Sequence, residues 1–401
     1  MDRRVKKIAI LGSTGSVGRQ TLDVVRSFPG EIEVVALCAG RNTGLLLQQV
    51  EEFRPSYYYC DPHAVNSVTP PRTGISRPPR TNGHSTATTT LPVQARALAT
   101  EEIAVLPEVD IVVAAMSGSA GMGAVLAALK AGKTVALANK EPMVIAGESL
   151  MRTAKDRGGR ILPVDSEPSA IWQCIQGEKS SPRKLFITAS GGAFRDRTWG
   201  SLRDVTPAEA LRHPTWQMGP KITVDSATLM NKAFEVIEAR WLFGIPYEQI
   251  DVVVHRQSII HSMVEFVDGS VKAQLAPPDL RYPIQYALFY PERRVNHTLP
   301  GFDPVKVGQL TFEAMRSSLY PCFEIAMDYA RRGGTWPAVL AGADEAAVWM
   351  FLDGKARFTD MPDLVTKTLS RHVPNMKPSL DDAVAAAAWA FEETLKIRAV
   401  N

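Results

Sequence analysis

Polar side chains that could do chemistry recur along one stretch in the middle of the chain, 221–239, whose apolar spacing predicts a helix that Asp225, Ser226 and Thr228 could start and cap. Asn231 and Glu235 lie four residues apart and share a helix face, and Lys232 lies three residues before Glu235. An amide, an ammonium and a carboxylate along one edge suit a phosphate and a metal bound side by side. On this stretch alone, a surface helix with a Lys–Glu ion pair is the simpler interpretation.

A pair of carboxylates follows a predicted strand at Arg160–Val164, where the chain continues with Asp165, Ser166 and Glu167. In an extended segment Asp165 and Glu167 point the same way, because side chains alternate with period two. They repel each other unless a cation lies between them, and Glu235 would add a third oxygen ligand. Without His or Cys nearby, this set favours Mg²⁺ or Mn²⁺ over zinc. Taken separately, each carboxylate also fits a polar strand end whose Ser166 caps the next helix.

A glycine loop opens the chain. The apolar strand Val5–Leu11 leads into Gly12–Gly18, which reads GSTGSVG, and then into a predicted helix. Backbone N–H groups and the helix dipole in such a loop can hold the pyrophosphate of a dinucleotide. The glycine spacing is weak evidence alone, but the strand before it and the helix after it favour a nucleotide site over a plain turn.

The second predicted strand, Ile32–Ala39, ends in Gly40, Arg41 and Asn42. An NAD site usually has an acidic residue near this point, to hold the ribose 2′-hydroxyl. Arg41 could instead pair with a 2′-phosphate, so we expect NADPH. A solvated arginine also fits.

Three further stretches have the composition of binding loops. Asn139, Lys140 and Glu141 follow a predicted strand at its carboxyl end, where α/β sheets bind ligands. The small residues at 189–192 suit an anion. Residues 213–220 read HPTWQMGP and predict a mobile lid that excludes water, although core packing is the commoner role of its tryptophan.

Composition limits the class of protein. The chain has 401 residues, 45% of them hydrophobic, and a net charge of +3, which is too small to indicate nucleic acid binding. We expect a cytoplasmic protein without a membrane segment, since no signal peptide or long apolar run is present. The four scattered cysteines predict reduced thiols: Cys38, Cys60, Cys174 and Cys322.

The order of predicted elements indicates an α/β protein in three parts. We expect a Rossmann-like dinucleotide domain at 1–150, a central α/β catalytic, metal-binding and dimerisation domain at 151–290, a linker at 291–315, and a small helical domain at 316–401. Strands at 250–255, 258–266 and 271–275 predict a mixed sheet that could form a dimer face, with His255 and His261 in structural roles. Residues 69–92 predict a flexible insertion.

Together these residues closely resemble the 1-deoxy-D-xylulose 5-phosphate reductoisomerase family. The pairing of VDSE with MNKAFEVIEA is highly specific, whereas the glycine loop is not. The matching segments run in the family's order: LGSTGSVG (11–18), AGRN (39–42), ALANKE (136–141), VDSE (164–167), ASGGAFR (189–195), RHPTWQMG (212–219), ITVDSATLMNKAFEVIEARWLFG (222–244) and QSIIHSMVEF (257–266).

The resemblance implies a role for each matching position. The implied cofactor residues are Thr14, Gly15, Ser16 and Val17 at the NADPH pyrophosphate, Gly40, Arg41 and Asn42 at the ribose and 2′-phosphate, and Asn139, Glu141 and Gly219 near the nicotinamide. The implied ligands of Mg²⁺ or Mn²⁺, with Co²⁺ as a further candidate, are Asp165, Glu167 and Glu235. The implied substrate residues are Lys140, Ser166, Glu167 and Glu235 near the sugar, and Ser190, His213, Ser226, Asn231 and Lys232 at the phosphate. The implied catalytic residues are Lys140, Glu167 and His213.

The resemblance also implies the reaction. A chelated sugar phosphate rearranges to an aldehyde, which NADPH reduces to 2-C-methyl-D-erythritol 4-phosphate, in a homodimeric enzyme of the non-mevalonate isoprenoid pathway. The chain departs from the family pattern at Pro142, Pro168 and Asp344, and in the insertion at 69–92. Two alternatives therefore remain open: a metal-independent NADP dehydrogenase, and an inactive NADPH-binding regulator.

Overall fold

The computed structural model describes residues 4–61 and 95–397, so the predicted insertion at 69–92 lies outside the described residues. The described chain has the α/β architecture that the sequence predicts: a parallel sheet, then a mixed sheet, then a group of helices. None of the helices in these two ranges combines the length and the hydropathy that crossing a bilayer requires.

The N-terminal part alternates strands and helices. Its elements are β1 (Lys6–Leu11), α1 (Ser16–Ser27), β2 (Ile32–Ala39), α2 (Thr43–Phe53), β3 (Tyr57–Cys60), β4 (Arg96–Ala97), α3 (Thr100–Ala104), β5 (Ile111–Ala114), α4 (Met122–Lys130), β6 (Thr134–Leu137), α5 (Glu141–Arg157) and β7 (Arg160–Pro163). The seven strands are all parallel, in the order β4-β3-β2-β1-β5-β6-β7. The strand order reverses between β1 and β5, and open α/β sheets bind ligands at such a point.

Close packing requires glycine at two positions of the loop after β1. Gly12 has a φ of +92°, and a Cβ there would lie 2.5 Å from the carbonyl oxygen of Ala115. A Cβ on Gly18 would lie 2.3 Å from the carbonyl oxygen of Gly12. Any larger residue would therefore push α1 away from β1, and the loop keeps the N-terminus of α1 directly above the strand ends.

The central part contains a second sheet and the helices that pack on it. Its elements are α6 (Ser166–Ile175), β8 (Lys184–Ala189), α7 (Pro207–Ala210), α8 (Pro220–Thr228), α9 (Met230–Phe243), β9 (Ile250–Val254), β10 (Ile260–Glu265), β11 (Val271–Leu275), α10 (Arg281–Phe289), α11 (Pro304–Val307) and β12 (Glu313–Ala314). The strand order is β11-β10-β8-β9-β12, with β8 and β9 parallel and the other pairs antiparallel. Helix α6 packs on β10 and β11, and α9 on β8 and β9.

The C-terminal part is helical, as predicted. It consists of α12 (Pro321–Arg332), α13 (Trp336–Leu352), α14 (Met361–Ser370) and α15 (Leu380–Leu395). Helix α13 is buried along almost its whole length, because it packs against α14 and α15 and also against α5 and α8. The C-terminal helices therefore touch both of the preceding parts.

The structure corrects two predicted boundaries. Residue 150 lies inside α5, and β7 beyond it pairs with β6, so the first sheet extends to Pro163. The segment predicted as a linker contains β12, which pairs with β9. Proline-rich stretches suggested a linker, but the helix α10 within them packs mainly on α1, with further contacts to β6, β7 and α6, and the strand β12 beside them belongs to the central sheet.

The structure adds a helix before the one predicted in residues 221–239. Asp225, Ser226 and Thr228, predicted as the start and caps, lie in α8, and Leu229, with a left-handed φ of +57°, separates α8 from α9. The Thr228 hydroxyl bridges this break, because it donates to the carbonyl oxygen of Asp225 and accepts from the N–H of Met230. The predicted helix itself corresponds to α9.

Two of the departures from the family pattern are explained by local structure. Pro142 is the second residue of α5 and Pro168 is the third of α6. The N–H groups of a first helical turn have no acceptor within the helix, so proline there removes no hydrogen bond. Both substitutions are therefore compatible with the helices that carry them.

Candidate active site

Three carboxylates converge between α6 and α9. Oxygen atoms of Asp165, Glu167 and Glu235 all lie within 4.8 Å of one another. The predicted extended segment is wrong in its local form: Asp165 is the N-cap of α6, accepting from the N–H of Ser166 at 3.1 Å, and Glu167 lies in the first turn. The start of a helix brings the two carboxylates together as an extended tip would have done.

Two buried lysines compensate these negative charges. Lys140 Nζ lies 2.8 Å from Asp165 Oδ2 and 3.6 Å from Glu235 Oε1, and it donates to Asn231 Oδ1 at 2.6 Å. Lys232 Nζ lies 2.6 Å from Glu167 Oε1 and 2.5 Å from Glu235 Oε2. The helix face predicted from the spacing of Asn231, Lys232 and Glu235 therefore points into this cluster.

The surroundings set the protonation of the cluster. Burial opposes the charge of Lys140, but Asp165 and Glu235 outweigh it and raise the pKa of the ammonium. Burial, together with the charge of Glu167, raises the pKa of Glu235 to about 8. Burial also opposes the charge of Glu167, but Lys232 outweighs it and lowers the pKa of that carboxyl. The lysines therefore stay charged beside carboxylates that repel each other.

The donor set fits a hard divalent cation. All three groups offer carboxylate oxygens, and the side chain of Glu235 is only 1% exposed. Asp165 Oδ2 is close to Lys140 Nζ but makes no aligned hydrogen bond, so it still has a free lone pair in a buried place. Oxygen ligands of this kind suit Mg²⁺ or Mn²⁺.

A cavity beside the carboxylates brings together most of the predicted substrate residues. Lys140 contacts two residues that line this cavity, Asn231 and Asp165. The predicted residues that line the cavity are Ser16, Val17, Asp165, Ser166, Glu167, Ser190, Gly219, Ser226, Asn231, Lys232 and Glu235.

His213 lines a larger groove next to this cavity rather than the cavity itself, and it contacts the cavity through Ser190. Its Nδ1 accepts from the N–H groups of Thr215 at 3.2 Å and Trp216 at 2.9 Å. Its Nε2 lies 2.9 Å from Ser190 Oγ and, with Nδ1 accepting, is the donor of that bond. Burial lowers the pKa of His213 to about 4, with Arg195 adding to the effect.

The segment predicted as a lid forms the wall between the cavity and a larger groove. Trp216, Met218 and Gly219 line both spaces, as does Ser16 of the glycine loop. Ser16 Oγ donates to the carbonyl oxygen of Gln217 at 3.4 Å, so the loop and the lid are in contact. A ligand in one space would thus contact the same wall as a ligand in the other.

The groove has the position expected for a nucleotide. It measures about 1550 Å³, and Thr14, Gly15, Ser16, Asn42 and Gly219 are among the residues that line it. The N-cap of α1, Gly15, has no side chain to bond the first N–H groups of the helix, and no acidic residue lies in the first turn. These N–H groups therefore remain suited to an anion. The residues that precede Asn42, Gly40 and Arg41, are exposed.

Two predicted cofactor residues have side chains directed elsewhere. The Asn139 amide donates to the carbonyl oxygen of Gly118 at 3.1 Å and is buried. The Glu141 carboxylate lies 3.3 Å from Lys221 Nζ, in a separate buried group of charges. The structure does not bring either side chain to the groove, and their assignment to the nicotinamide remains a prediction.

The sequence did not indicate His261 as a site residue. The structure places it in the cavity, with its ring centroid 5.9 Å from that of Trp216. Side chains alternate along a strand, so the sequence shows that His261 and its neighbours point to opposite faces of the sheet. It does not show which of these faces packs against α6. Arg195 was also missed: it donates to the carbonyl oxygen of Ser190 at 3.1 Å.

Comparison with known families and structures identifies the family and the fold. Family models described as 1-deoxy-D-xylulose 5-phosphate reductoisomerase and as its C-terminal domains match residues 8–147, 161–243 and 275–393. The chain belongs to the 1-deoxy-D-xylulose 5-phosphate reductoisomerase family. The family predicted from the sequence motifs is confirmed, and so is the α/β fold class.

Relatives and solved structures match over nearly the full length. The reductoisomerase of Heliobacterium modesticaldum is 48% identical, covering 96% of each chain, and that of Desulforamulus reducens is 46% identical, covering 98% of this chain and 99% of the relative. The Zymomonas mobilis reductoisomerase, solved with NADPH, has a TM-score of 0.83 at 37% identity, with 98% of each chain covered. A reductoisomerase solved with NADPH, fosmidomycin and magnesium has a TM-score of 0.85 at 35% identity, with 97% of each chain covered.

We expect acid to weaken the contribution of His213 to stability. Its pKa in the folded protein, about 4, is below the ordinary value of 6.5. The neutral ring therefore stabilises the fold fully above about pH 6.5, and this contribution is lost as the pH falls towards 4. Thermal unfolding of the wild type and of His213→Gln between about pH 4.5 and 7.5 should show the largest advantage of the wild type near neutrality.

The exposed residue His297 provides the control. The His297→Gln variant should follow the wild type at every pH, because His297 lies on the surface and outside the site. An advantage of the wild type over His213→Gln that stays constant across this range would contradict the neutral, buried ring.

Proposed function

We propose that the chain converts 1-deoxy-D-xylulose 5-phosphate into 2-C-methyl-D-erythritol 4-phosphate, using NADPH and a divalent metal ion, in the non-mevalonate isoprenoid pathway. The observation that carries this proposal is the shared wall formed by Trp216, Met218 and Gly219. On one side lies a cavity with three carboxylates and several anion-binding groups, and on the other a groove above the glycine loop. A plain dehydrogenase would have no use for the carboxylates.

Asp165, Glu167 and Glu235 would hold the metal. A divalent ion bound there would supply Lewis acidity, which polarises the ketone and the adjacent hydroxyl of the substrate. Two solved members of the family, both similar to this chain over nearly their full length, contain magnesium. The fit of the three oxygen donors to such an ion supports the same choice for this chain.

Lys140 would act on the sugar as a charged donor. Its pKa is raised, so its Nζ carries a proton throughout the neutral range and cannot accept one. Held by Asn231 at 2.6 Å and Asp165 at 2.8 Å, the ammonium would stabilise negative charge that develops on a substrate oxygen. Ser166 and Glu167 would contact the sugar from the first turn of α6.

The phosphate end would lie against Ser190, Ser226, Asn231 and Lys232. Lys232 supplies the positive charge, while the serines and the amide supply directed donors. Neutral His213 would add an Nε2–H donor and would fix the lid through its Nδ1. Binding at a phosphate remote from the reacting carbons contributes to orientation and closure rather than to affinity alone.

NADPH would occupy the groove, where it would supply the hydride. Thr14 to Val17 would bind the pyrophosphate with the free N–H groups of α1. Gly40, Arg41 and Asn42 would lie at the ribose and its 2′-phosphate, and Asn139, Glu141 and Gly219 on the nicotinamide side. Solved relatives with bound NADPH support this cofactor.

We also propose that the protein is a cytoplasmic homodimer. Strand β11 is an edge of the central sheet, and its first residue, Val271, is 51% exposed. An exposed edge with an apolar side chain is suited to pairing with a second copy. The four cysteines are free thiols, which suits a reducing compartment.

The reaction is tested first by following NADPH oxidation with deoxyxylulose phosphate and Mg²⁺ or Mn²⁺. Turnover should require the metal and should stop with a chelator. Glu235→Gln should lower kcat/KM by about 100-fold or more, because Lewis acidity contributes several kcal/mol and each 1.4 kcal/mol is tenfold. The exposed Glu248→Gln should behave like the wild type. Turnover that is unchanged both by the chelator and in Glu235→Gln would identify a plain dehydrogenase. NADPH binding without turnover would identify an inactive NADPH-binding protein.

The choice of NADPH over NADH is tested at Arg41. Arg41→Ala should raise the KM for NADPH about 10-fold and leave that for NADH unchanged, since a hydrogen bond to a charged group contributes about 1.5–3 kcal/mol. Arg152→Ala, an exposed change on α5, serves as the matched control. Equal effects on both cofactors would place Arg41 away from the 2′-phosphate.

The oligomeric state is tested by sedimentation velocity. We expect a particle of twice the 43.8 kDa chain mass, and a shift towards the monomer in Val271→Glu, which places a charge on the strand edge. A monomeric wild type at micromolar concentration would exclude the homodimer. A dimer that Val271→Glu leaves intact would move the interface away from β11.

A further inference from the structure

A second group of buried charges lies outside the cavity, where the C-terminal helices meet the rest of the chain. Lys221 Nζ lies 2.7 Å from Asp225 Oδ2, 3.0 Å from Asp344 Oδ2 and 3.3 Å from Glu141 Oε1. The ammonium also faces the ring of Phe234 at 4.9 Å. Lys221, Asp225, Asp344 and Glu141 are here named the Lys221 cluster, and none of their side chains is more than 10% exposed.

The Lys221 cluster joins the three parts of the chain. Glu141 is the first residue of α5 and directly follows Lys140. Asp225 lies on α8 and directly precedes Ser226. Asp344 lies in the middle of α13 and is fully buried. Two of the four members are therefore next neighbours of residues that the proposed reaction uses.

The cluster holds more acidic groups than cations. Burial, with the charge of Asp344, raises the pKa of Asp225 well above its usual range, and burial likewise raises the pKa of Asp344. Neither oxygen of Asp344 makes an aligned hydrogen bond, but its Oδ2 lies 3.0 Å from Lys221 Nζ, within donating distance of the ammonium. Removing Asp344 would leave Asp225 and Glu141 beside Lys221, but it would remove the contact through which α13 reaches the ammonium.

The next residue on α13 extends the same junction. A Cβ on Gly118 would lie 2.4 Å from Glu345 Oε1, so this carboxylate sits directly against the loop that begins α4. The carbonyl oxygen of Gly118 in turn accepts from Asn139. Asp344 and Glu345, which are neighbours on α13, thus contact α8 and the loop before α4, respectively.

Helix α8 is linked to α13 through this cluster. It has nine residues, the lid ends at its first turn, and the left-handed Leu229 separates it from α9. Helix α8 packs on α9 and also on α12 and α13. Lys221 near its start, with Asp225 one turn later, adds a charged contact to Asp344 on α13.

We propose that Asp344 is a positioning residue for the reductoisomerase reaction. Through Lys221 it fixes α8, and with α8 the Ser226 hydroxyl at the substrate phosphate. The inference rests on the proposed function for its substrate. A displacement of about 1 Å in a binding group can cost up to 100-fold in rate, so loss of the anchor should be measurable in turnover.

The test compares three variants of the full chain. Asp344→Ala should raise the KM for deoxyxylulose phosphate about 10-fold while the KM for NADPH stays within about 2-fold. Asp344→Asn should restore a KM near that of the wild type, because its amide oxygen can still accept from Lys221. Gly342→Ala is the matched control: a Cβ there would lie 2.0 Å from the carbonyl oxygen of Ala387, so it disturbs the same helix without touching the cluster.

A merely structural role would give a different pattern. Gly342→Ala and Asp344→Ala would then both lower the melting temperature and the active fraction, and neither would change KM. An unchanged KM in Asp344→Ala would overturn the proposal. Where Asp344→Ala fails to fold, Asp344→Ser takes its place, and a wild-type KM in that variant would equally overturn it.

Hydrogen exchange over residues 220–228 makes the inference independent of turnover. Asp344→Ala should speed exchange in α8 relative to both Asp344→Asn and Gly342→Ala, whether or not the wild type consumes deoxyxylulose phosphate. Unchanged exchange in α8 would overturn the proposal. An inactive wild type would count against the proposed function alone.

Discussion

The site depends on holding three carboxylates together inside the protein. Asp165, Glu167 and Glu235 have oxygens within 4.8 Å of one another, and this arrangement is unfavourable unless positive charge lies among them. Lys140, at the N-cap of α5, and Lys232, on α9, supply that charge at contact distances of 2.5–3.6 Å. The packing of α5 and α6 against α9, and of α9 on the central sheet, brings the five groups together. A bound divalent cation would compensate the same carboxylates.

The lid connects this cluster to the nucleotide groove. Trp216 and Met218 line both spaces, so a ligand in either space would contact the same wall. Neutral His213 suits this position, because its Nδ1 accepts two lid N–H groups and a protonated ring could not. Excluding water there strengthens the electrostatic interactions on which the proposed reaction relies.

Local features of the site were set by the sequence itself. The glycines at 12 and 18 are needed because of contacts with nearby backbone, and their spacing follows from one strand, one turn and one helix. The shared face of Asn231, Lys232 and Glu235 follows from the pitch of an α-helix. The family motifs, read in order, were enough to identify the family, and the three carboxylates that they predict as metal ligands lie together in the structure.

Only the tertiary structure determined which faces of the helices and strands pack against one another. It placed His261 in the cavity, turned Glu141 towards Lys221 and joined Lys221 to Asp344, which lies 123 positions later in the numbering of the chain. It also formed a separate helix, α8, from residues predicted to cap α9, and the left-handed backbone of Leu229 between the two helices is not indicated by any apolar pattern. Spacing along the chain fixes which side chains share one element, whereas partners from distant elements are selected by packing and charge compensation across the whole fold. For that reason the chemistry could be predicted from sequence, and the anchoring of the helices that carry it could not.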